Sequence, residues 1–249
     1  MKYVRSLFSN LWKLYVIIVF IIIGVSLFPV VRILILKESW KKKTSSLFVF
    51  WSWGIRIFCF YPVRKIKNAT LPNGPYIIIS NHSSYLDIFL MNSIFPKSPF
   101  LFLGKSELLN YPIIGTYFKH LQIPVYRDNK IKAAKSFIQA KQSVKNGWSL
   151  MIFPEGGIHD EILPQLAPFK EGAFKLAKNL AIPIIPVTFT KSYKLFSDPG
   201  NFFGGAHPGF VDVYIHDFIS VEEIESLSES ELIKKCYDII IEPILKIQD

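Results

Sequence analysis

Cysteine is nearly absent. The two present, Cys59 and Cys236, have no metal-ligand spacing, and Cys59 lies in a very apolar segment, so free thiols in a reducing compartment or in membrane are expected. Internal repeats and low-complexity tracts are missing. Acidic residues are outnumbered, 19 against 29 Lys and Arg, for a formal net charge of +10, which calls for an anionic partner such as nucleic acid or lipid headgroups. The scarcity of charge decides between them. Hydrophobic residues make up 50% of the chain, with 22 Phe, and the mean hydropathy is +0.30. That is more than a soluble core of this size needs, so a lipid surface is favoured and nucleic acid is not expected.

The longest stretch without charge is Leu14 to Val31, "LYVIIVFIIIGVSLFPVV". At 1.5 Å per helical residue it spans roughly 27 Å, about one hydrocarbon core. It is too long for the apolar region of a signal peptide, and no small-residue cleavage site follows before Arg32. A second apolar stretch, Leu47 to Pro62, carries "FWSW" and a single charge, Arg56, and "KESWKKK" lies between the two. Tryptophan settles at headgroup level and arginine can snorkel there, so this second segment suits an interfacial or half-inserted helix. Basic residues flank the first span on both sides and do not orient it. Residues 1–61 are expected to form a two-helix membrane-embedded element, with a single bitopic anchor as the alternative.

From residue 62 to 249 the composition becomes that of one α/β domain. Strand-like runs fall at Tyr76 to Ser80, Phe100 to Leu103, Gln122 to Tyr126, Leu150 to Phe153, Ile184 to Phe189 and Val211 to Ile215. Helix-like segments fall at Tyr85 to Ser93, Lys130 to Asn146, Glu171 to Leu180 and Val221 to about Ile247. The alternation predicts a mostly parallel sheet flanked by helices. Lys191 to Gly209 reads as one long loop.

In "ISNHSSYLDIF" a histidine precedes an aspartate by five residues. Inside one helix that spacing is about 500° of rotation, which points the side chains roughly 140° apart. The pair can meet only if His82 sits in the turn leaving the strand at Tyr76 to Ile79 and Asp87 in the first turn of the next helix, with Ser83 or Ser84 as N-cap. An aspartate there also suits the helix dipole with no catalytic purpose. Chemistry in open α/β sheets gathers at strand C-terminal ends. Asn81 and His82, Arg127 after "QIPVY", and Glu155 after "LMIFP" all fall at such ends.

The ordered set "NHSSYLD", "LQIPVYRD", "FPEGG" and "IPIIPVTF" resembles the blocks of the PlsC-like glycerolipid acyltransferase family, the 1-acylglycerol-3-phosphate acyltransferases. "GKSELLNYPIIG" resembles the stretch that members carry between the first two blocks, and the resemblance covers about residues 70 to 220. It implies O-acyl transfer from acyl carrier protein or a coenzyme A thioester to the hydroxyl of a lyso-lipid. It also implies membrane attachment, with the catalytic domain on the cytoplasmic face of a bacterial inner membrane. His82 would be the general base and Asp87 its orienting partner, with the substrate hydroxyl in the place a serine holds in a triad. No G-x-S-x-G motif is present and neither cysteine has a histidine near it in sequence, so direct transfer is preferred to an acyl-enzyme. No metal and no resident cofactor are needed. Asn81, Lys105, Arg127, Glu155 and Gly156 are the candidate substrate-binding residues: Lys105 and Arg127 as cations for an acceptor phosphate, Glu155 to position the acceptor or hold the loop, and Gly156 to let the backbone approach closely.

The chain departs from the family at one place. Where members carry Thr-Arg after Phe-Pro-Glu-Gly, it has Gly157 and Ile158, then His159. The family arginine there is implicated in holding the acceptor phosphate. Lys105, Arg127 or Lys170 would have to compensate, or the acceptor is a lyso-lipid without phosphate, such as an amino-acid lipid. A non-catalytic lipid-binding protein is a further alternative, one that would have no use for the His82 and Asp87 pair.

Overall fold

The computed structural model describes residues 2–111, 114–126 and 129–247. The chain opens with α1 (Lys2–Leu34), a short α2 (Glu38–Lys41) and α3 (Thr44–Phe58). An α/β succession follows: β1 (Val63–Asn68), β2 (Ile77–Ser80), α4 (Tyr85–Ile94), β3 (Phe100–Lys105), a 3₁₀ turn over Ser106–Asn110, α5 (Ile114–Leu121), β4 (Ile123–Val125), α6 (Lys130–Lys145), β5 (Ser149–Ile152), α7 (Gly172–Leu180), β6 (Ile184–Phe189), α8 (Ser192–Leu195), β7 (Val211–Ile215), α9 (Val221–Ser226) and α10 (Glu229–Leu245).

Seven strands form one sheet in the order β1-β7-β6-β2-β5-β3-β4. Every pairing is parallel except β6 with β7. The interior strands "IIIS", "SLMI" and "IIPVTF" are buried at every position, as expected of parallel strands covered on both faces. Side chains alternate across the sheet. Ile78, Met151 and Ile185 enter one core, while Ile77, Ile79, Leu150 and Ile184 enter the other. The first core lies under α1, α3, α4 and α5, and the second under α6, α7, α9 and α10. Pro186, which has no N–H to give, precedes the antiparallel ladder that starts at Val187 opposite Ile215, so β6 tolerates it.

Several elements differ from the sequence expectation: α5 has no counterpart among the expected helices, α8 lies in the segment expected to be one long loop, and two more differ as follows. "VRKIKN" forms edge strand β1, exposed along nearly its whole length. Charged residues blunt a sheet edge and also remove the apolar alternation by which a strand is recognised. The C-terminal helix is two helices, because Ser228 caps a new one, its backbone N–H bonded to Glu231.

Helices α1 and α3 pack as an antiparallel hairpin. A Cβ at Gly24 would lie 2.7 Å from the Trp51 ring, and one at Gly54 would lie 2.7 Å from Ile23 Cδ1. Farther along, Tyr15 Oη donates to Phe58 O. The hairpin lies on the domain: Tyr117 Oη donates to Gly24 O at 2.6 Å, Phe20 stacks on Phe89, and Trp51 and Ile55 share a core with Leu86 and Met91. Among the described residues only α1 is long and apolar enough to cross a membrane, over Tyr3–Leu34. The 15 residues of α3 reach roughly 22 Å, short of a hydrocarbon core.

Candidate active site

Because β2, β5, β3, β4 and β6 run parallel, their C-terminal ends meet at one edge of the sheet. The corner leaving β2 is the centre of this edge. Ser84 is the extended N-cap of α4. Its Oγ accepts from Leu86 N at 3.1 Å, and the Asp87 carboxylate reaches back to Ser84 N at 2.8 Å. The capping arrangement turns the chain so that a histidine before the helix and an aspartate inside it face each other. His82 Nδ1 lies 3.3 Å from Asp87 Oδ2. Oδ2 also accepts from Ser83 N at 2.8 Å.

Asp87 is fully buried. A buried carboxylate must be hydrogen-bonded, and donors reach both of its oxygens. On Oδ1 the donor is Ser192 Oγ at 2.6 Å, a residue in the segment that the sequence predicts to be one long loop. Since a carboxylate only accepts, the proton on the His82 side belongs on Nδ1, and Nε2 is left as the basic nitrogen. No partner for Nε2 occurs among the described residues. The imidazole lies flat on Phe153, with centroids 4.0 Å apart and planes at 17°. That packing fixes the ring and, through the aromatic face, tolerates a cation.

The other candidate residues divide into two groups. Asn81 Nδ2 donates to Phe189 O and Asn81 Oδ1 accepts from Phe189 N, both at 2.8 Å, so this side chain clamps the exit of β2 to β6. Glu155, 4% exposed, accepts from His82 N at 2.7 Å through Oε1 and from Ala167 N at 2.8 Å through Oε2. It joins the β5 exit loop to the histidine corner. Burial pushes its carboxyl up from the ordinary range, and the two backbone donors and the His82 ring pull it partly back. Both oxygens of Glu155 are thus engaged by backbone donors from two different segments. Gly156 has φ +83°, which an L-residue resists, and its N–H closes a turn onto Phe153 O at 3.0 Å.

Lys105 ends β3 and is exposed. Its Nζ lies 3.3 Å from where a Cβ at Gly157 would be, so an ammonium with no ion pair among the described residues borders the loop that carries Glu155, and the missing side chain at 157 leaves it room. Arg127 lies outside the described residues. Ile158 is partly buried, and His159 Nδ1 approaches Glu161 at 3.3 Å. A groove of about 660 Å³ opens at the β4 side, lined by Arg32, Tyr111, Lys119 and Tyr126 among others, and does not include His82.

Ser192 is not among the residues the sequence singles out, because Lys191 to Gly209 reads as one loop while the structure forms α8 at its start. Applying the strand-end rule to Ile184–Phe189 would have drawn attention to the three residues that follow. The segment after Ser192 is held in place: Phe196 O accepts from Ser84 Oγ at 2.6 Å, and Asn201 O and Phe202 O accept from Lys13 Nζ and Asn10 Nδ2 of α1.

A parallel α/β sheet with a buried His-Asp pair at its carboxyl edge defines the class, and the comparisons define the family. The Acyltransferase family model matches residues 62–190, and the chain belongs to that family. It is 31% identical over 201 residues to the 1-acyl-sn-glycerol-3-phosphate acyltransferase of Saccharomyces cerevisiae, covering 76% of this chain and 65% of that one. It is 28% identical over 200 residues to the human 1-acyl-sn-glycerol-3-phosphate acyltransferase beta, covering 74% and 66%. The chain spans about half to two-thirds of the length of the curated relatives it matches. Its fold is that of the 1-acyl-sn-glycerophosphate acyltransferase PlsC of Thermotoga maritima, with a TM-score of 0.75 at 21% identity, covering 100% of this chain and 98% of that one.

Proposed function

We propose that this chain is a membrane-bound O-acyltransferase that moves a fatty acyl group from acyl carrier protein or coenzyme A to the free hydroxyl of 1-acylglycerol-3-phosphate, giving phosphatidic acid. The observation that carries the proposal is the buried Asp87 facing His82 Nδ1, which leaves Nε2 as a base at the edge of a sheet shared with acyltransferases. His82 Nε2 takes the acceptor hydroxyl proton as the oxygen attacks the thioester carbonyl. The C–S bond then breaks, and the departing thiolate receives that proton from the imidazolium. Asp87 fixes the ring and stabilises its cation. Lys105 and Arg127 meet the acceptor phosphate as charge-assisted donors. Asn81, Glu155 and Gly156 act one layer back, by holding the corner in shape. No step requires a metal or a resident cofactor.

Residues 1–61 serve as the membrane element and 62–249 as the catalytic domain. On this reading the outward faces of the hairpin, with Leu11, Leu14, Ile18, Ile21 and Ile22 of α1 and Phe50, Trp53 and Ile57 of α3 exposed, lie in lipid. Scattered exposed apolar residues need no explanation, but a continuous two-helix face of them does. The domain sits on the cytoplasmic side of a bacterial inner membrane.

One observation favours a second acceptor. Ile158 stands where the family carries its phosphate-holding arginine, which fits a lyso amino-acid lipid. The test is purified protein in nanodiscs, given each acceptor in turn with acyl-coenzyme A and with the acyl thioester of acyl carrier protein, and products identified by mass spectrometry. Phosphatidate formation well above background is expected. A background rate on lysophosphatidate with turnover of the amino-acid lipid would establish the second acceptor, and no transfer in any combination would overturn both.

A further inference from the structure

We propose that Ser192 is a positioning residue for the His82 and Asp87 pair. Its hydroxyl holds the far oxygen of Asp87 so that the near one faces the imidazole. The proposal rests on the acyl-transfer reading above and extends it to a residue on a different strand exit.

Ser192 is fully buried, the first residue of α8 and three residues beyond the end of β6. Its Oγ lies 2.6 Å from Asp87 Oδ1, the short distance of a hydroxyl donating to a charged carboxylate. With that proton spent, its lone pairs face Ser83 Oγ at 3.2 Å, so Ser83 donates to Ser192 and Ser192 to Asp87. The two hydroxyls form a relay ending on the carboxylate. The other three donors to Asp87 are Ser83 N, Ser84 N and His82 Nδ1, and all act on Oδ2. Ser192 is therefore the one donor among the described residues that engages Oδ1. The terminal torsion of an aspartate is broad. Two backbone donors alone leave the carboxylate free to swing, and the contact most easily lost is the longest, the 3.3 Å approach to His82.

Ser192 is itself fixed. Phe196 N bonds back to Ser192 O at 2.9 Å, and Ser84 Oγ donates to Phe196 O at 2.6 Å. The short helix is thus tied to the cap of α4, which carries Asp87. The arrangement makes the exit of β6 part of the catalytic geometry, although no group on it touches the reacting atoms.

The test compares wild type, Ser192→Ala, Ser192→Cys and His82→Ala in nanodiscs with the acceptor that wild type turns over faster. Replacing a donor to a charged partner predicts a fall in kcat of about tenfold to a hundredfold in Ser192→Ala. The acceptor KM should stay within about twofold, since no substrate contact is lost. Ser192→Cys, which keeps a weak donor of similar size, should retain more kcat than Ser192→Ala. If His82→Ala is inactive while Ser192→Ala keeps wild-type kcat, the assignment of Ser192 is overturned and the acid–base pair stands. A raised KM with unchanged kcat overturns it too. Should His82→Ala itself retain wild-type activity, the acyl-transfer mechanism and the role of Ser192 fall together.

Discussion

Replacing Glu155 with glutamine separates a residue that shapes the site from one that binds substrate. The carboxylate has two acceptor oxygens and spends one on His82 N and one on Ala167 N. A glutamine of the same shape has one oxygen and one NH₂, so in either flip one buried backbone N–H faces another donor. An unsatisfied buried donor costs about 1–3 kcal/mol, and the surviving bond weakens as it becomes neutral. Part of that is offset, because burial already raises the Glu155 carboxyl and glutamine carries no charge to desolvate. A net loss of about 2 kcal/mol is expected, which at about 2–4 °C per kcal/mol for a chain of this size lowers the apparent Tm by roughly 4–8 °C. Since Glu155 ties His82 N to Ala167 N, losing either bond loosens the corner that carries His82, and kcat should fall by up to about a hundredfold, the consequence of a displacement near 1 Å, with the acceptor KM little changed. Differential scanning fluorimetry in one detergent and a radiolabelled acyl-transfer assay read the two quantities. An unshifted Tm with a raised acceptor KM would refute this reasoning and make Glu155 a substrate ligand.

Three further outcomes are expected. Lys105→Ala should raise the KM for lysophosphatidate by about tenfold, equivalent to roughly 1.4 kcal/mol of lost charge-assisted binding, with Tm unchanged; an unaltered KM would remove Lys105 from the acceptor site. His216 is held neutral by burial, its pKa lowered to about 4, while Thr188 Oγ1 lies 2.9 Å from its Nε2 and donates to Ile240 O. The folded state thus binds this proton less readily than the unfolded chain, whose histidine titrates near about 6.5. The resulting stability is present above about pH 6.5 and is lost as the pH falls towards 4. Apparent Tm measured across that window should decline, and His216→Gln should decline less. Gly24→Leu drives a side chain into Trp51 and should open the α1–α3 contact, read as a red shift of tryptophan emission and faster proteolysis between residues 34 and 44.

Much of the domain was legible because its interior strands are unbroken apolar runs ended by turn residues. Ile184–Phe189 and Val211–Ile215 coincide with their expected bounds. What escaped were elements whose burial comes from tertiary context. β1 is polar because it is an edge. The two halves of the hairpin were visible as apolar segments, but nothing local shows that Gly24 and Gly54 admit the opposite helix, or that Lys13 is spent on loop carbonyls. In the site, the spacing of His82 and Asp87 foretold a strand-to-helix corner, and the place of Asp87 in the first helical turn, for which the sequence offered the helix dipole as a non-catalytic reason, is also a capping-box position that coexists with its contact to His82. The partners of Asn81 and Glu155 are backbone groups 108 and 12 to 73 residues away, which a residue type cannot announce. Ser192 was hidden for the same reason, since only the pairing of β6 with β2 carries it to Asp87.

The central claim is that His82 is the base of an acyl transfer. The most direct measurement is the single-turnover rate of phosphatidate formation from lysophosphatidate and a labelled acyl thioester by wild type and His82→Ala, with folding of both confirmed by Tm. His82 packs on Phe153 and bonds Glu155 through its backbone, so the variant should fold and remain in the membrane fraction. Its rate should be lower by at least about a hundredfold, as removal of a general base requires. A folded His82→Ala protein that forms phosphatidate at the wild-type rate would contradict the account.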